Sequence, residues 1–380
     1  MQLNLVATCA LGLEAVVARE LQKLGMAEVN SHNGYVSFTG TARDLCRANM
    51  WLRSADRVWM CLTEFSCASF EDLFQGVKSV PWPMLLPREA EFPVDALTHN
   101  SRLTSLPAIQ RTAKRAIVDI MQSHYHLREL PETGARFPIR IFLVNDCCRV
   151  MLDTSGSGLD RRGYRTLNAA APLRETLAAA LVQLSYWNSE RLLIDPFCGS
   201  GTIPIEAACI GLNRAPGLKR GFCSEKWPFI KSSTWREARQ EAEDLFERNG
   251  QLNIIGRDID AQVLRLAQFH LRQSGLPEDC IKWQRQDVHS FSSRRPYGVI
   301  VTNPPYGERV MEREEAEELY VTLGKVTEPL DTWSIYAISS HPDFERFFGR
   351  RATRRRKLYN GMIQCTYYQY VGSAPKRNDS

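Results

Sequence analysis

From residue 192 onward, short apolar runs alternate with helical stretches, and each run closes on a carboxylate or an amide. Leu192-Leu193-Ile194 stops at Asp195, Ile254-Ile255 runs out at Asp258, and Val299-Ile300-Val301 leads to Thr302 and Asn303. Strands separated by helices pair in parallel and are covered on both faces, which is why they read as continuous apolar runs. The C-terminal part is therefore expected to be α/β with a mostly parallel sheet, and in such sheets ligands bind outside the carboxyl ends of the strands. The closing stretch, Leu358-Tyr359, Asn360-Gly361 and Met362 to Val371, reads as an Asn-Gly hairpin, so the sheet is expected to end antiparallel.

The first 165 residues follow another pattern. Leu13, Val16, Val17, Leu21 and Leu24 recur at helical spacing, a short strand follows at Tyr35 to Phe38, and Thr41 is placed to cap a helix carrying Leu45, Ala48 and Leu52. A β-rich run from Val58 to Phe65 closes this small unit, and Pro81, Pro83, Pro87 and Pro93 then predict irregular backbone. Ile109, Ala113, Ala116, Ile117 and Met121 mark one helix face, and residues 138–144 and 147–152 read as two strands joined through Asn145-Asp146. A length of 380 residues at roughly 150 per domain allows two or three domains.

Composition narrows the class. With 44% hydrophobic and 24% charged residues and a mean hydropathy of −0.31, the chain is a globular one, and no apolar run reaches the roughly 18 residues of a membrane span. Glu14 and Glu20 fall where an export signal would be apolar, so a cytoplasmic protein with no membrane partner is expected. Eleven cysteines without a Cys-x-x-Cys pair fit free thiols in a reducing compartment, and His124 and His126 form no ligand set, so no metal is expected.

The loop Asp195-Pro196-Phe197-Cys198-Gly199-Ser200-Gly201-Thr202 joins a strand to a helix, where glycines let backbone approach a ligand. Position 204 is Pro rather than the third glycine of a dinucleotide fingerprint, and no Gly-Lys-Ser/Thr follows, so both phosphate-binding readings weaken. A ligand with an adenosine and a charged amino-acid tail but no phosphate fits: Asp195 attracts the ammonium and the glycines admit the rest. That ligand is S-adenosylmethionine. Asp258, in Gly256-Arg257-Asp258-Ile259-Asp260, is placed to accept from both ribose hydroxyls, and Asp287 from the adenine amine. An isolated aspartate at a strand end is ordinarily a helix cap, but three at successive strand ends are not.

Asn303-Pro304-Pro305-Tyr306 immediately follows the strand Val299 to Thr302. An NH2 group on an sp2 carbon is a poor nucleophile because its lone pair is delocalised. The Asn303 amide oxygen and the Pro304 carbonyl can each accept one N–H, which turns that pair outward and favours the developing positive charge. Tyr306 offers a face on which a planar base, flipped from its stack, can rest. Cys198 reads as a small packing residue, not a nucleophile.

The formal charge of +5 averages over three clusters: Arg111, Lys114 and Arg115 on one helix face; Arg161, Arg162 and Arg165 in a basic link; and a run from Arg346 to Lys357 that includes Arg354, Arg355 and Arg356. Seven positive charges in that run repel one another, and a polyanion relieves this, so nucleic acid is the expected partner. Residues 213–248 separate the glycine loop from Asp258 far beyond a plain βαβ spacing and read as an insertion, either a surface elaboration or a substrate contact.

With these residues in hand, the chain resembles the THUMP-domain methyltransferases that modify guanine N2 in 23S ribosomal RNA, over nearly its whole length. The stretches that carry the likeness are Ala7 to Glu14, Gly158 to Arg165, Pro172 to Ala180, Asp195 to Thr202, Arg214 to Gly217 and Asn303 to Arg309. The resemblance implies a ferredoxin-like α+β domain at 1–65, a THUMP RNA-binding domain at 66–165, and a Rossmann-like class I methyltransferase domain at 166–380. It implies that Asp195, Phe197, Cys198, Gly199, Gly201, Thr202, Asp258, Ile259, Asp287 and Asn303 surround S-adenosylmethionine, and that Asn303, Pro304 and Tyr306 hold the target amine. Relatives that fuse a second methyltransferase are known; a chain ending at Ser380 is expected to carry one activity. Guanine in tRNA, adenine N6, a protein glutamine amide, and a catalytically silent RNA-binding assembly factor are the competing readings.

Overall fold

The computed structural model describes residues 2–165, 173–306 and 313–373. Its first half is built on alternation. The strands β1 (Leu3–Thr8), β2 (Ala27–His32), β3 (Tyr35–Gly40), β4 (Arg57–Ser66), β5 (Val94–His99), β6 (Ile139–Val144) and β7 (Cys147–Asp153) form one sheet in the order β2-β3-β1-β4-β7-β6-β5. Leu5, Ala7, Val36, Phe38, Val58, Met60, Ile141 and Val150 point to a large core that also takes in the helices α1 (Glu14–Lys23), α2 (Ala42–Trp51), α3 (Phe70–Lys78), α4 (Trp82–Leu85) and α5 (Leu106–Tyr125). The intervening Val6, Trp59 and Met151 face the other way with Tyr35, Cys61 and Phe142. β4 pairs with β1 along one edge and with β7 along the other, so one continuous sheet carries both N-terminal segments.

Local rules explain most helix starts here. Thr41 and Asp44 form a reciprocal capping box at α2, and Ser69 and Asp72 form a second at α3. The proline-rich stretch is more ordered than expected: α4 begins with Pro83 in its first turn, where the missing N–H costs nothing, and β5 follows Pro93.

The second half holds α6 (Glu175–Leu184), β8 (Leu193–Asp195), α7 (Thr202–Gly211), α8 (Ser232–Asp244), β9 (Ile254–Asp258), α9 (Ala261–Ser274), β10 (Lys282–Arg285), β11 (Val299–Thr302), α10 (Arg313–Thr327), β12 (Ser334–Ser339), α11 (Phe344–Phe348), β13 (Arg354–Asn360) and β14 (Ile363–Tyr370). The sheet order is β10-β9-β8-β11-β12-β14-β13, parallel except for β14, which is antiparallel to both neighbours. Every residue of β8, β11 and β12 is buried, as a sheet covered on both faces requires. The expected hairpin is present, but its turn is Gly361-Met362 rather than Asn360-Gly361: Asn360 pairs with Ile363, and Gly361 takes the positive φ of +64°.

The insertion fastens the two halves together. Arg47 of α2 donates to Glu241 of α8 at 2.9 Å, the Gly217 N–H donates to the Met50 carbonyl at 2.9 Å, and the Arg53 guanidinium donates to the Arg214 carbonyl at 2.9 Å. Trp227 stacks on Phe137 with ring centroids 5.1 Å apart. A second seam is polar: Glu20 of α1 accepts from the Arg53 and Ser54 N–H groups, the Ser54 hydroxyl and Gln183 of α6. Among the described residues no helix is long and apolar enough to cross a membrane.

Candidate active site

Strand order reverses at β8, which has β9 on one side and β11 on the other. In an open α/β sheet this is the place where loops splay apart and leave a crevice. The two loops singled out in the sequence lie here, residues 195–202 after β8 and 303–306 after β11. Hydrogen bonds tie the strand ends together. Thr302 donates its hydroxyl to Asp195 at 2.7 Å, the Gly199 N–H donates to Asp258 at 3.0 Å, the Cys198 N–H donates to the Arg257 carbonyl at 2.9 Å, and the Gln286 N–H donates to the Asp258 carbonyl at 3.0 Å. Asp195, Asp258, Asp287 and Asn303 thus line one edge of one sheet.

Their environments differ. Asp195 is 1% exposed beneath the loop, and burial pushes its carboxyl up to about 7, against the opposing hydrogen bonds from Thr302 and the Phe197 N–H. It joins β8 to β11 more directly than it lines the crevice. Asp258 spends one oxygen on Gly199 and the other on the Asp260 N–H, leaving further lone pairs for ribose hydroxyls. Asp287 is exposed and caps its own short turn through the His289 N–H and ring, bonds that hold its carboxyl below the usual range.

The glycines divide by role. At Gly199, with φ +51°, nothing stands within 4 Å of where a Cβ would be, so backbone there is open to a ligand. Gly201 and Gly256 are different: a Cβ would meet the Trp283 ring at 2.6 Å and 2.4 Å. These two make room for Trp283 of β10, a residue the sequence reading missed and one with no local motif to reveal it. Ile259 is 60% exposed, directly after Asp258, an apolar surface for a flat base. Cys198 is buried and packs near Gly256, and burial raises its thiol well above the ordinary value, so it is no nucleophile at neutral pH. Open backbone, a ribose-competent carboxylate and an exposed apolar side chain suit an adenosine group without phosphate.

The loop after β11 is fixed from below. Tyr320 of α10 donates to the Pro305 carbonyl at 2.6 Å, and burial pushes its phenol up to about 12, so it remains a donor. Pro304 is buried, Asn303, Pro305 and Tyr306 are half-buried, and the Tyr306 hydroxyl donates to Asn303 Oδ1. Cys365 of β14 lies 3.9 Å from that hydroxyl. Residues 307–309 and Pro172, part of the stretches that carried the resemblance, lie outside the described residues. His270 of α9, another residue without a sequence signal, lies 3.1 Å through Nδ1 from the Ser200 carbonyl and braces the glycine loop.

The proposed RNA-contacting cations separate sharply. Arg162 is 4% exposed and forms a 3.0 Å ion pair with Glu206 in the middle of α7, so it cannot meet a phosphate. Arg165 pairs with Glu175 at 3.4 Å and donates to the Leu173 carbonyl, again inside the fold. Lys114 turns from its helix face to Glu132 at 2.7 Å and sits over the Phe92 ring. Arg356 donates to the Gly12 carbonyl across the two halves, whereas Arg355 pairs with Glu345 and stays exposed. Arg111, Arg115, Arg161 and Arg354 are exposed. The physical reason is common to the corrections: an arginine in a basic run finds a carboxylate or carbonyl when the backbone carries it inward.

Comparison with known proteins agrees with this geometry. The family model described as "RMKL-like, methyltransferase domain" matches residues 162–369, an RlmL ferredoxin-like domain model matches 4–59, and a THUMP domain model matches 67–153. The chain is 45% identical over 369 residues to a Bacillus subtilis protein named "Putative RNA methyltransferase YpsC", covering 97% of this chain and 95% of that one. It superposes with a TM-score of 0.92 on SMU.472, described as "a putative methyltransferase complexed with SAH", at 42% identity and 99% coverage of each chain. A Listeria monocytogenes structure named a "predicted N6-adenine-specific DNA methylase" superposes with a TM-score of 0.93 at 44% identity, covering 98% of this chain and 97% of that one.

Proposed function

This chain belongs to the RMKL-like methyltransferase family, and from that premise we propose that it transfers a methyl group from S-adenosylmethionine to the exocyclic N2 amine of a guanine in 23S ribosomal RNA. The observation that carries the reading is the rigid Asn303-Pro304-Pro305-Tyr306 loop at the carboxyl edge of β11, beside the open backbone at Gly199. RNA as substrate draws support from the THUMP match and from the name of the 45% identical relative.

S-adenosylmethionine supplies an electrophilic methyl group. Gly199 and its neighbours Phe197, Cys198, Gly201 and Thr202 form the loop that would receive it, Asp258 the ribose, Ile259 and Asp287 the adenine, and Asp195 holds the loop from beneath through Thr302 and the Phe197 N–H. Asn303 Oδ1 and the Pro304 carbonyl accept the two N–H bonds of the target amine, which directs its lone pair away from the ring. Tyr306 carries the flipped base on its face. The amine, once methylated, is a strong acid and loses its proton without a dedicated base, and no covalent enzyme intermediate is required.

Adenine N6 stands as the second reading, favoured by the name of the Listeria relative and by the same need to hold a planar NH2 group. Mass mapping of modified nucleosides in 23S rRNA and tRNA from a deletion strain separates the two. Loss of one N2-methylguanine from 23S rRNA is the expected outcome; loss of a tRNA methylguanine or of an N6-methyladenine replaces the proposal. Asn303→Ala is expected to abolish transfer while S-adenosylmethionine affinity stays within about threefold, since its amide is asked to act on the base.

A further inference from the structure

The hairpin β13–β14 does more than close the sheet. β12 ends at Ser339, which pairs with Thr366, so residues 363–365 and the turn before them project beyond the carboxyl edge. That is the edge from which Asn303 emerges, because Thr302 lies level with Ala337 and, through it, with Tyr368. Cys365, still buried, touches the Tyr306 hydroxyl at 3.9 Å. Three residues back along an extended strand is about 10 Å, and there stands Met362, 97% exposed, with Ile363 40% exposed beside it.

A lone exposed apolar side chain on a protein surface needs no explanation. Met362 differs in three respects. It occupies the tip of a tight two-residue turn whose Gly361 takes the positive φ, so it is thrust outward on a stiff support. The support is anchored, since Arg356 donates to the Gly12 carbonyl and Leu358 is fully buried. And positive charge lies near it: Lys357, three residues before the end of β13, is exposed, and its ammonium sits over the Tyr359 ring on the side of the turn.

A base that leaves a helical stack leaves a gap, and proteins that hold helices open fill such gaps with unbranched or branched apolar side chains, methionine among them. Resting on the reading of the site as one that receives a flipped base, we propose that Met362 is a wedge: its side chain enters the stack of an RNA helix beside the target nucleotide while Lys357 holds a nearby phosphate.

The experiment compares methyl transfer by wild type, Met362→Asp and Met362→Leu on two forms of protein-free 23S rRNA from a deletion strain: folded, and fragmented and heat-denatured. Met362→Asp is expected to lose at least about tenfold in kcat/KM on folded RNA, yet stay within about twofold on denatured fragments, where no stack has to be opened. Met362→Leu is expected to track wild type on both. Equal loss on both RNAs, or no loss on folded RNA, overturns the wedge; neither outcome bears on which base is methylated. Should wild type act on neither RNA, the proposed substrate fails, and the wedge is read instead from Met362→p-benzoylphenylalanine, photocrosslinked in a mixture of ribosomal particles and vesicles. A crosslink to RNA bases supports it, and a crosslink to protein or lipid overturns it.

Discussion

The hydroxyl of Tyr306 donates to Oδ1 of Asn303, the same amide oxygen proposed to accept the target amine. A base entering the site therefore shares with the tyrosine an oxygen that has two lone pairs. The ring and the hydroxyl of Tyr306 then have separable effects. Tyr306→Ala removes the stacking face, worth about 1–3 kcal/mol per base, and is expected to cut kcat/KM by about tenfold to a hundredfold. Tyr306→Phe keeps the face and releases Oδ1, so it is expected to lose far less than the alanine variant. Single-turnover methylation of 23S rRNA by both variants checks this; equal losses would mean that the hydroxyl, not the ring, carries the role.

Arg162 and Glu206 offer a test of the reassignment away from RNA. The pair is buried with Tyr164, whose hydroxyl donates to Glu206 at 2.9 Å, and burial raises the Glu206 carboxyl in spite of Arg162. Arg162→Met leaves a carboxylate in the core without its partner and is expected to destabilise by about 3–5 kcal/mol, while the double variant with Glu206→Gln recovers much of that. Urea unfolding of the three proteins measures it. The native fraction of Arg162→Met is expected to bind RNA with unchanged salt dependence.

Much of the second sheet was legible because its signals are local. The buried runs at residues 192–194, 254–255 and 299–301 became β8, β9 and β11, and the acids that close them came to one edge. The first sheet was harder. β2 is largely exposed, so period-2 alternation had little to act on there, and the Ser69–Asp72 capping box was overshadowed by the prolines that follow. Partnership was the least readable quantity. Arg162 and Arg161 look alike in a string of letters, and only the lone acid in the otherwise uncharged segment Thr202–Gly211 hinted that a buried cation had to answer it. Trp283 and His270 act on the glycine loop from other elements, across distances that no spacing rule encodes.

The buried acids predict an unusual pH profile. Burial pushes Asp195 and Glu175 up to about 7 and Asp56 up to about 6, so each holds a proton in the native state that the unfolded chain releases near pH 4. A raised carboxyl stabilises the fold at low pH and loses that contribution as pH rises through its folded value. Stability is therefore expected to fall between about pH 4 and 7, by up to about 1.4 kcal/mol per pH unit for each group. Asp195→Asn keeps an oxygen for Thr302 and the Phe197 N–H, and its slope between pH 5 and 6.5 is expected to be shallower by about 1 kcal/mol per unit. Urea unfolding of the two proteins across that range decides; parallel profiles would place the titration elsewhere.

Arg354 and Arg356, two residues apart on β13, are expected to behave as different kinds of arginine. Arg354 is exposed at the start of β13, whereas Arg356 reaches the Gly12 carbonyl through two nitrogens, at 3.1 and 2.8 Å. Arg354→Ala frees one phosphate of the bound RNA to take back its counterion, which lowers the slope of log affinity against log salt by about 0.7–0.9. Arg356→Ala instead strands a carbonyl at the seam between the two halves, and its cost of about 1–3 kcal/mol is expected in unfolding. Filter binding of 23S rRNA across a KCl series, with urea unfolding alongside, separates them. A shallower salt slope for Arg356→Ala, with stability unchanged, would mean that the guanidinium leaves Gly12 when RNA arrives.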